Sequence, residues 1–108
     1  MTMTDLQARF LPGFLTMSRE RIARAEALLT AGTPDALLAL GGELHTLAGE
    51  AAMLGLPAIA DSARQVESVA KGRQAPVGQS VAEACAAGLG RLAQAIAEIS
   101  AARGADRT

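Results

Sequence analysis

The stretch His45-Thr-Leu-Ala-Gly49-Glu-Ala-Ala-Met-Leu-Gly55-Leu56 decides the fold, because it joins a helical pattern to an abrupt stop. It contains the only histidine of the chain. The residues three and four positions from that histidine share its helix face and are all small. They are Gly41, Gly42, Ala48 and Gly49. Since each glycine costs a helix about 1 kcal/mol relative to alanine, the pattern indicates that the imidazole needs open space around it.

The helix that carries His45 has clear signals for its start and for its buried face. Thr33 suits the cap, Pro34 the first helical position and Asp35 the first turn. Apolar residues follow at helical spacing, at Leu37, Leu40, Leu44, Leu47, Ala51 and Leu54. His45 is one residue beyond this stripe, about 100° around the helix. We therefore predict that the imidazole lies at the edge of the core and is exposed to solvent.

A longer apolar pattern precedes this helix and runs from Thr4 to about Leu29. Thr4 and Gln7 fit a capping box, which predicts the start of the helix at Thr4. An interior proline kinks or splits a helix, so Pro12 predicts a kink or a short separate N-terminal helix. The large apolar residues of this first helix are assigned to the core rather than to an interface, and they are Phe10, Phe14 and Met17.

Two further helices follow the histidine stretch. The third is predicted over about residues 57–71, and residues 72–78 have the composition of a loop. The fourth helix is capped either near residues 75–76 or by a capping box formed by Ser80 and Glu83. Four helices with short connections predict an all-α fold, an antiparallel up-down four-helix bundle.

Length and composition favour one domain that spans residues 1–108. The formal net charge is −1, which gives no electrostatic case for binding nucleic acid or an anionic membrane surface. No apolar run reaches about 20 residues, and the N-terminus lacks the pattern of a signal peptide. We therefore expect a cytoplasmic protein. One histidine, one cysteine and no carboxylate cluster do not fill a metal site, and no cofactor motif occurs.

The tight link between the second and third helices predicts an αα-hairpin with a definite register. A turn centred on residue 56 places His45 opposite Glu67, because both lie eleven residues from the turn. At about 1.5 Å per residue, both side chains are then roughly 16 Å from the turn. A carboxylate that accepts the Nδ1 proton fixes the tautomer and leaves the Nε2 lone pair free. The exposed imidazole would then be a competent nucleophile toward phosphorus.

The same register places two cations near the predicted carboxylate. Arg64 is level with Ala48, and Lys71 is level with Gly41. Both cations share a helix face with Glu67 by spacings of three and four residues. Such cations stabilise phosphoryl oxygens. The glutamates of the histidine helix are interpreted as exposed charges, and they are Glu43 and Glu50.

This stretch resembles the phosphoacceptor motif of histidine-containing phosphotransfer (HPt) domains, which runs roughly His-x-Leu-Lys-Gly-x-Ala-x-x-Leu-Gly. The matching residues are His45, Leu47, Gly49, Ala51, Leu54 and Gly55. Ala48 stands where the family has lysine. The resemblance implies that His45 accepts the phosphoryl group and that Glu67 holds the place of a glutamine or glutamate that orients it. A basic residue occurs in some members where Lys71 stands.

The leading hypothesis is a monomeric phosphocarrier that passes phosphoryl groups between receiver-domain aspartates by way of His45. As the resemblance implies, its partners are receiver domains of response regulators or hybrid histidine kinases, which supply magnesium and most of the catalytic groups. The chain has no ATP-binding motif, so we expect no autonomous enzyme activity. An alternative is a docking module of the same fold that binds or inhibits a receiver or a kinase without carrying phosphate. A third possibility is a structural helical bundle.

Overall fold

Four helices make up most of the part of the chain that the computed structural model describes, residues 3–72 and 78–105. They are α1 (Met3–Ala31), α2 (Pro34–Met53), α3 (Pro57–Ala70) and α4 (Val81–Ala105). Helices α1 and α3 each pack against both α2 and α4, whereas the diagonal pairs have no Cα atoms within 8 Å of each other among these residues. The predicted all-α four-helix bundle is confirmed.

The turn between α2 and α3 follows the Schellman pattern of hydrogen bonds. Gly55 adopts φ +68°, the left-handed conformation that favours glycine. The Leu56 N–H donates to the Ala51 carbonyl at 2.9 Å, and the Gly55 N–H donates to the Ala52 carbonyl at 3.1 Å. Pro57 then opens α3 at a position where its missing N–H costs nothing. The two helices are therefore joined by a connection of three residues with fixed geometry.

Side-chain caps start α2 and α4 as the sequence predicts. The Thr33 hydroxyl accepts a hydrogen bond from the Ala36 N–H at 3.1 Å. The Ser80 hydroxyl accepts one from the Glu83 N–H, also at 3.1 Å. The alternative start of α4 near residues 75–76 lies outside the described residues. Ser80 is therefore the cap of α4.

The predicted start of α1 is wrong, and one of the two alternatives predicted at Pro12 does not occur. Met3 is already helical, so Thr4 lies inside α1 and is not its cap. The Gln7 amide instead donates to the Leu54 carbonyl at the end of α2, at 2.6 Å. The helix runs through Pro12 without a break, so no separate N-terminal helix forms. The kink at Pro12 stays a prediction.

The core of the bundle consists of aliphatic side chains and alanines from all four helices. The predicted stripe of α3 is buried at every position, at Ile59, Ala63, Val66 and Ala70. Phe14 of α1 is buried, but Phe10 and Met17 are 50% and 45% exposed. Around the helix they lie roughly 120–160° from Leu15 and Ile22 of the buried stripe. Their assignment to the core is therefore wrong.

Helices α3 and α4 are in close contact at a glycine, Gly88. A Cβ atom added to Gly88 would overlap the Cγ2 methyl of Val66. Gly90, two residues further along α4, is exposed, and a Cβ there would meet no atom within 4 Å. Gly88 is thus required by packing, whereas Gly90 is not.

We predict that Gly88→Ala lowers the free energy of unfolding by about 1–3 kcal/mol, because the added methyl forces the two helices apart. Gly90→Ala is the matched control and should raise stability by up to about 1 kcal/mol through helix propensity. Urea denaturation measures both effects. In a double-mutant cycle with Val66→Ala, the combined cost should be less than the sum of the single costs. A Gly88→Ala protein as stable as the wild type would contradict this account of the α3–α4 contact.

A network of ion pairs joins α1 to α2. Arg21 binds Glu43 and Glu50, each at 3.1 Å, and Arg24 binds Glu43 at 3.3 Å. The prediction that both glutamates are exposed charges is wrong, because α1 packs beside this face of α2 and partly covers them. Burial alone would raise the pKa of Glu43, but the hydrogen bonds and charges of Arg24 and Arg21 outweigh it. The pKa of Glu43 is therefore lowered from 4.5.

This lowered pKa predicts a loss of stability in acid. The unfolded chain binds a proton at Glu43 more readily than the folded chain, so the contribution of Glu43 is present above about pH 4.5 and lost as the pH falls further. Glu43→Gln should therefore be less stable than the wild type at pH 7, with a difference that shrinks toward pH 3. Thermal denaturation across this range measures it. Glu26→Gln, at an exposed position without an ion pair among the described residues, is the control. A Glu43→Gln difference that does not depend on pH would contradict the argument.

Candidate functional site

His45 projects from the outer edge of α2 into solvent. Its side chain is 73% exposed, whereas the preceding Leu44 is only 1% exposed. A Cβ atom added to Gly42 or Gly49 would meet no other atom within 4 Å, so the space beside the imidazole is open. The predicted exposure of His45 at the edge of the core is confirmed.

A carboxylate holds one of the two ring nitrogens. The Nδ1 atom of His45 lies 3.0 Å from Oε2 of Glu67, a residue of α3 whose side chain is only 15% exposed. An ionised carboxylate accepts hydrogen bonds and donates none, so Nδ1 carries the proton and donates it. The Nε2 atom then bears the free lone pair. The contact that the hairpin register predicts is present.

The only lysine of the chain completes the group. The Lys71 ammonium donates to the same oxygen of Glu67, Oε2, at 2.6 Å. The aliphatic part of the lysine lies across Gly41 of α2, where an added Cβ would come within 3.2 Å of its Cγ and 3.3 Å of its Cε. The structure thus places Lys71 level with Gly41, as the register predicts, and in direct contact with Glu67.

Opposing effects act on the Glu67 carboxyl group. Its partial burial by itself raises the pKa. The hydrogen bonds from Lys71 and His45, together with the charges of these two residues, outweigh burial, so the pKa is lowered from 4.5. Glu67 is therefore ionised near neutral pH and acts as a hydrogen-bond acceptor for the imidazole.

The other predicted site residues lie close by without joining this contact. Arg64 bonds the exposed Asp61 at a long 3.5 Å and makes no hydrogen bond or ion pair with His45 or Glu67 among the described residues. It lines a small surface pocket of about 180 Å³ together with Glu67 and Lys71. Ala48, at the position of the family lysine, is 3% exposed and belongs to the core. Of the two predicted cations, only Lys71 binds the carboxylate.

An apolar groove between α1 and α2 was not predicted from the sequence. Its volume is about 360 Å³. The residues that line this apolar groove are Leu6, Phe10, Gly13, Phe14, Met17, Glu50, Met53 and Leu54. A usable signal was the spacing of Phe10 and Met17, which lie seven residues apart and so on one face of α1.

Residues 3–72 and 78–105 contain neither a cluster of metal ligands nor a membrane-spanning helix. No three histidine, cysteine, aspartate or glutamate side chains lie close enough together to hold a metal ion in this part of the chain. Within the same residues, no helix has the length and hydrophobicity needed to cross a membrane.

One comparison with known proteins found a match. The family profile of the Hpt domain matches residues 9–102, nearly the whole chain. No match was found among curated proteins or among solved structures. Domains of this family are helical phosphocarriers that act with receiver domains and histidine kinases. The chain therefore belongs to the Hpt domain family, whose members carry phosphoryl groups on histidine in two-component and phosphorelay systems.

Proposed function

We propose that this protein is a monomeric, cytoplasmic phosphorelay intermediate that carries a phosphoryl group on Nε2 of His45. The observation that supports it best is the 3.0 Å contact between Nδ1 of His45 and the Glu67 carboxylate. This contact orients an exposed imidazole with its nucleophilic nitrogen toward solvent. The donor and the acceptor are aspartates of receiver domains in response regulators or hybrid histidine kinases.

The chemistry is a reversible transfer between an aspartyl phosphate and the imidazole. The Nε2 lone pair attacks phosphorus, the bond between phosphorus and the aspartate oxygen breaks, and the aspartate leaves as a carboxylate. The product ring carries phosphorus on Nε2 and keeps its proton on Nδ1, so it gains positive charge. Glu67, which accepts that proton's hydrogen bond before and after the transfer, stabilises this charge. Transfer to the next receiver reverses each step.

The absence of a lysine at position 48 bears on how the phosphoryl oxygens are neutralised. Ala48 is buried, so no cation projects from that position. Arg64, which is half exposed and makes only a long contact with Asp61, has the freedom to turn toward a phosphoryl group. Lys71 is the second candidate, although Glu67 already binds its ammonium group. We propose that Arg64, the more mobile of the two cations, compensates for the missing lysine.

The receiver domain docks on the surface around His45 that contains the exposed apolar side chains. The four large hydrophobic residues that are exposed among the described residues are Phe10, Met17, Leu38 and Met53. On α2, Leu38 and Met53 lie seven and eight residues from His45, roughly 10–12 Å away on opposite sides of it. Phe10, Met17 and Met53 also line the apolar groove. Because a receiver must bring its aspartate to Nε2, a partner that reaches His45 covers this surface.

A docking module without phosphotransfer is the second candidate function. The observation that favours it is the replacement of the family lysine by a buried alanine, Ala48. Such a protein would bind a receiver over the same surface and hold its aspartate away from other partners. The two functions are distinguished by whether His45 becomes phosphorylated, because only a phosphocarrier carries phosphate there.

Incubation with a phosphorylated receiver domain should place a label on His45 that is labile in acid and stable in base. The rate should fall from the wild type to Glu67→Gln and then to Glu67→Ala, because the amide oxygen of glutamine still accepts the Nδ1 proton. We expect Glu67→Ala to be slower by about tenfold or more. His45→Gln should bind the receiver but carry no label.

Two results would contradict parts of this proposal. Tight receiver binding with no phosphate on His45 would favour the docking module. Equal rates for the wild type and both Glu67 variants would show that the carboxylate does not orient the nucleophile. Circular dichroism of each variant checks that the bundle is folded.

The docking surface makes a separate prediction. Met53→Glu should weaken binding to the receiver about tenfold or more, because it places a charge in the apolar groove. Labelling of His45 by phosphoramidate, a small donor that needs no docking, should not change. Ala86→Glu adds the same charge at an exposed position on α4, a helix that does not pack against α2, and is the control. Unchanged receiver affinity for Met53→Glu would exclude the groove from the interface.

A further inference from the structure

We propose that Lys71 is a positioning residue that fixes the Glu67 carboxylate on His45, and that Gly41 is the residue whose missing side chain makes room for it. This inference rests on the proposed function of the same site. It assigns Lys71 an action through Glu67 rather than a direct contact with the phosphoryl group.

The geometry at one oxygen atom supports this role. Oε2 of Glu67 accepts from His45 at 3.0 Å and from Lys71 at 2.6 Å. A carboxylate held by a single hydrogen bond can rotate about its terminal bond and exchange one oxygen for the other. A second donor on the same oxygen, approaching from the end of α3, opposes that rotation. Lys71 therefore keeps Oε2, rather than the other oxygen, directed at Nδ1.

The electrostatics favour the same arrangement. The Glu67 side chain is 15% exposed, so its negative charge is partly removed from water. His45 is neutral before phosphoryl transfer if it carries only the Nδ1 proton, and then it offers a hydrogen bond without a full charge. The Lys71 ammonium supplies the charge that keeps the carboxylate ionised and accepting.

Gly41 is the second part of the arrangement. It is buried, and a Cβ atom added at position 41 would lie 3.2–3.3 Å from the Cγ and Cε methylene groups of Lys71, which is tighter than an ordinary van der Waals contact. Gly42 has no such neighbour within 4 Å. Packing therefore favours glycine at position 41, because the Lys71 side chain passes over this position to reach Glu67. A methyl group there would force the lysine methylenes to shift by a few tenths of an ångström, and we expect this shift to weaken the bond between the ammonium and the carboxylate.

The test uses the free protein and two measurements that need no receiver. Nitrogen-15 NMR of the His45 ring reports the fraction of molecules with the proton on Nδ1, and phosphoramidate reports the rate of phosphorylation. In that reaction the phosphoryl group moves from the nitrogen of phosphoramidate to Nε2, and ammonia leaves. Lys71→Gln should reduce the Nδ1–H fraction and slow labelling by up to about tenfold. Lys71→Arg keeps a cation that is able to bind Glu67, so this variant should retain most of the Nδ1–H fraction and most of the labelling rate.

A double-mutant cycle tests Gly41. Gly41→Ala should move both measurements in the same direction as Lys71→Gln, and it should have no further effect in the Lys71→Gln protein. Gly90→Ala, an exposed glycine-to-alanine change on α4, controls for helix propensity. An effect of Gly41→Ala that persists without the lysine, or no effect at all, would overturn the assignment of Gly41.

Other outcomes bear on Lys71 itself. If Lys71→Gln leaves the Nδ1–H fraction and phosphoramidate labelling unchanged, Lys71 is not a positioning residue. If it slows only transfer from a receiver, Lys71 contacts the phosphoryl group or the partner, and the proposal is overturned. Failure of the proposed phosphocarrier function would be distinguishable, because His45 would then receive no phosphate from any receiver while the NMR measurement still reports on Lys71.

Discussion

The turn at Gly55 is the constraint on which the site depends, because it sets the register between α2 and α3. The Schellman hydrogen bonds and Pro57 leave the connection little freedom, so residues equally distant from the turn face each other. His45 meets Glu67 for this reason. A shift of one residue on either helix would rotate the side chain by about 100° and separate the carboxylate from the imidazole.

Small residues hold α3 firmly enough for that register to matter. Gly88 allows α4 to pack directly against Val66 of α3, and Ala48 of α2 is buried in the core at the position where the family has a long charged side chain. Helix α3 is thereby fixed against two neighbours, and Glu67, which projects from it, has a defined position. The replacement of lysine by alanine thus removes a positive charge beside His45 and adds a small apolar side chain to the core.

The surface of α2 is divided between two neighbours, with His45 in the middle. Toward α3 lie Gly41 and the polar group of Glu67 and Lys71. Toward α1, the ion pairs of Glu43 tie the two helices together, and the apolar groove opens nearby. A partner that approaches the imidazole meets a polar, oriented nucleophile on one side and an apolar surface on the other. Such a division suits a protein that must both bind another domain and react with it.

The sequence by itself determined the four helices, the exposure of His45 and its contact with Glu67, because these follow from helical periodicity and the length of one tight turn. Only the tertiary structure decided how each helix is rotated against the others. That rotation leaves Phe10 exposed and brings Arg21 onto Glu43. It also selects Lys71 over the other predicted cation as the partner of Glu67. The periodicity of a single helix defines which residues share a face, but the neighbouring helices determine which side chains that face meets.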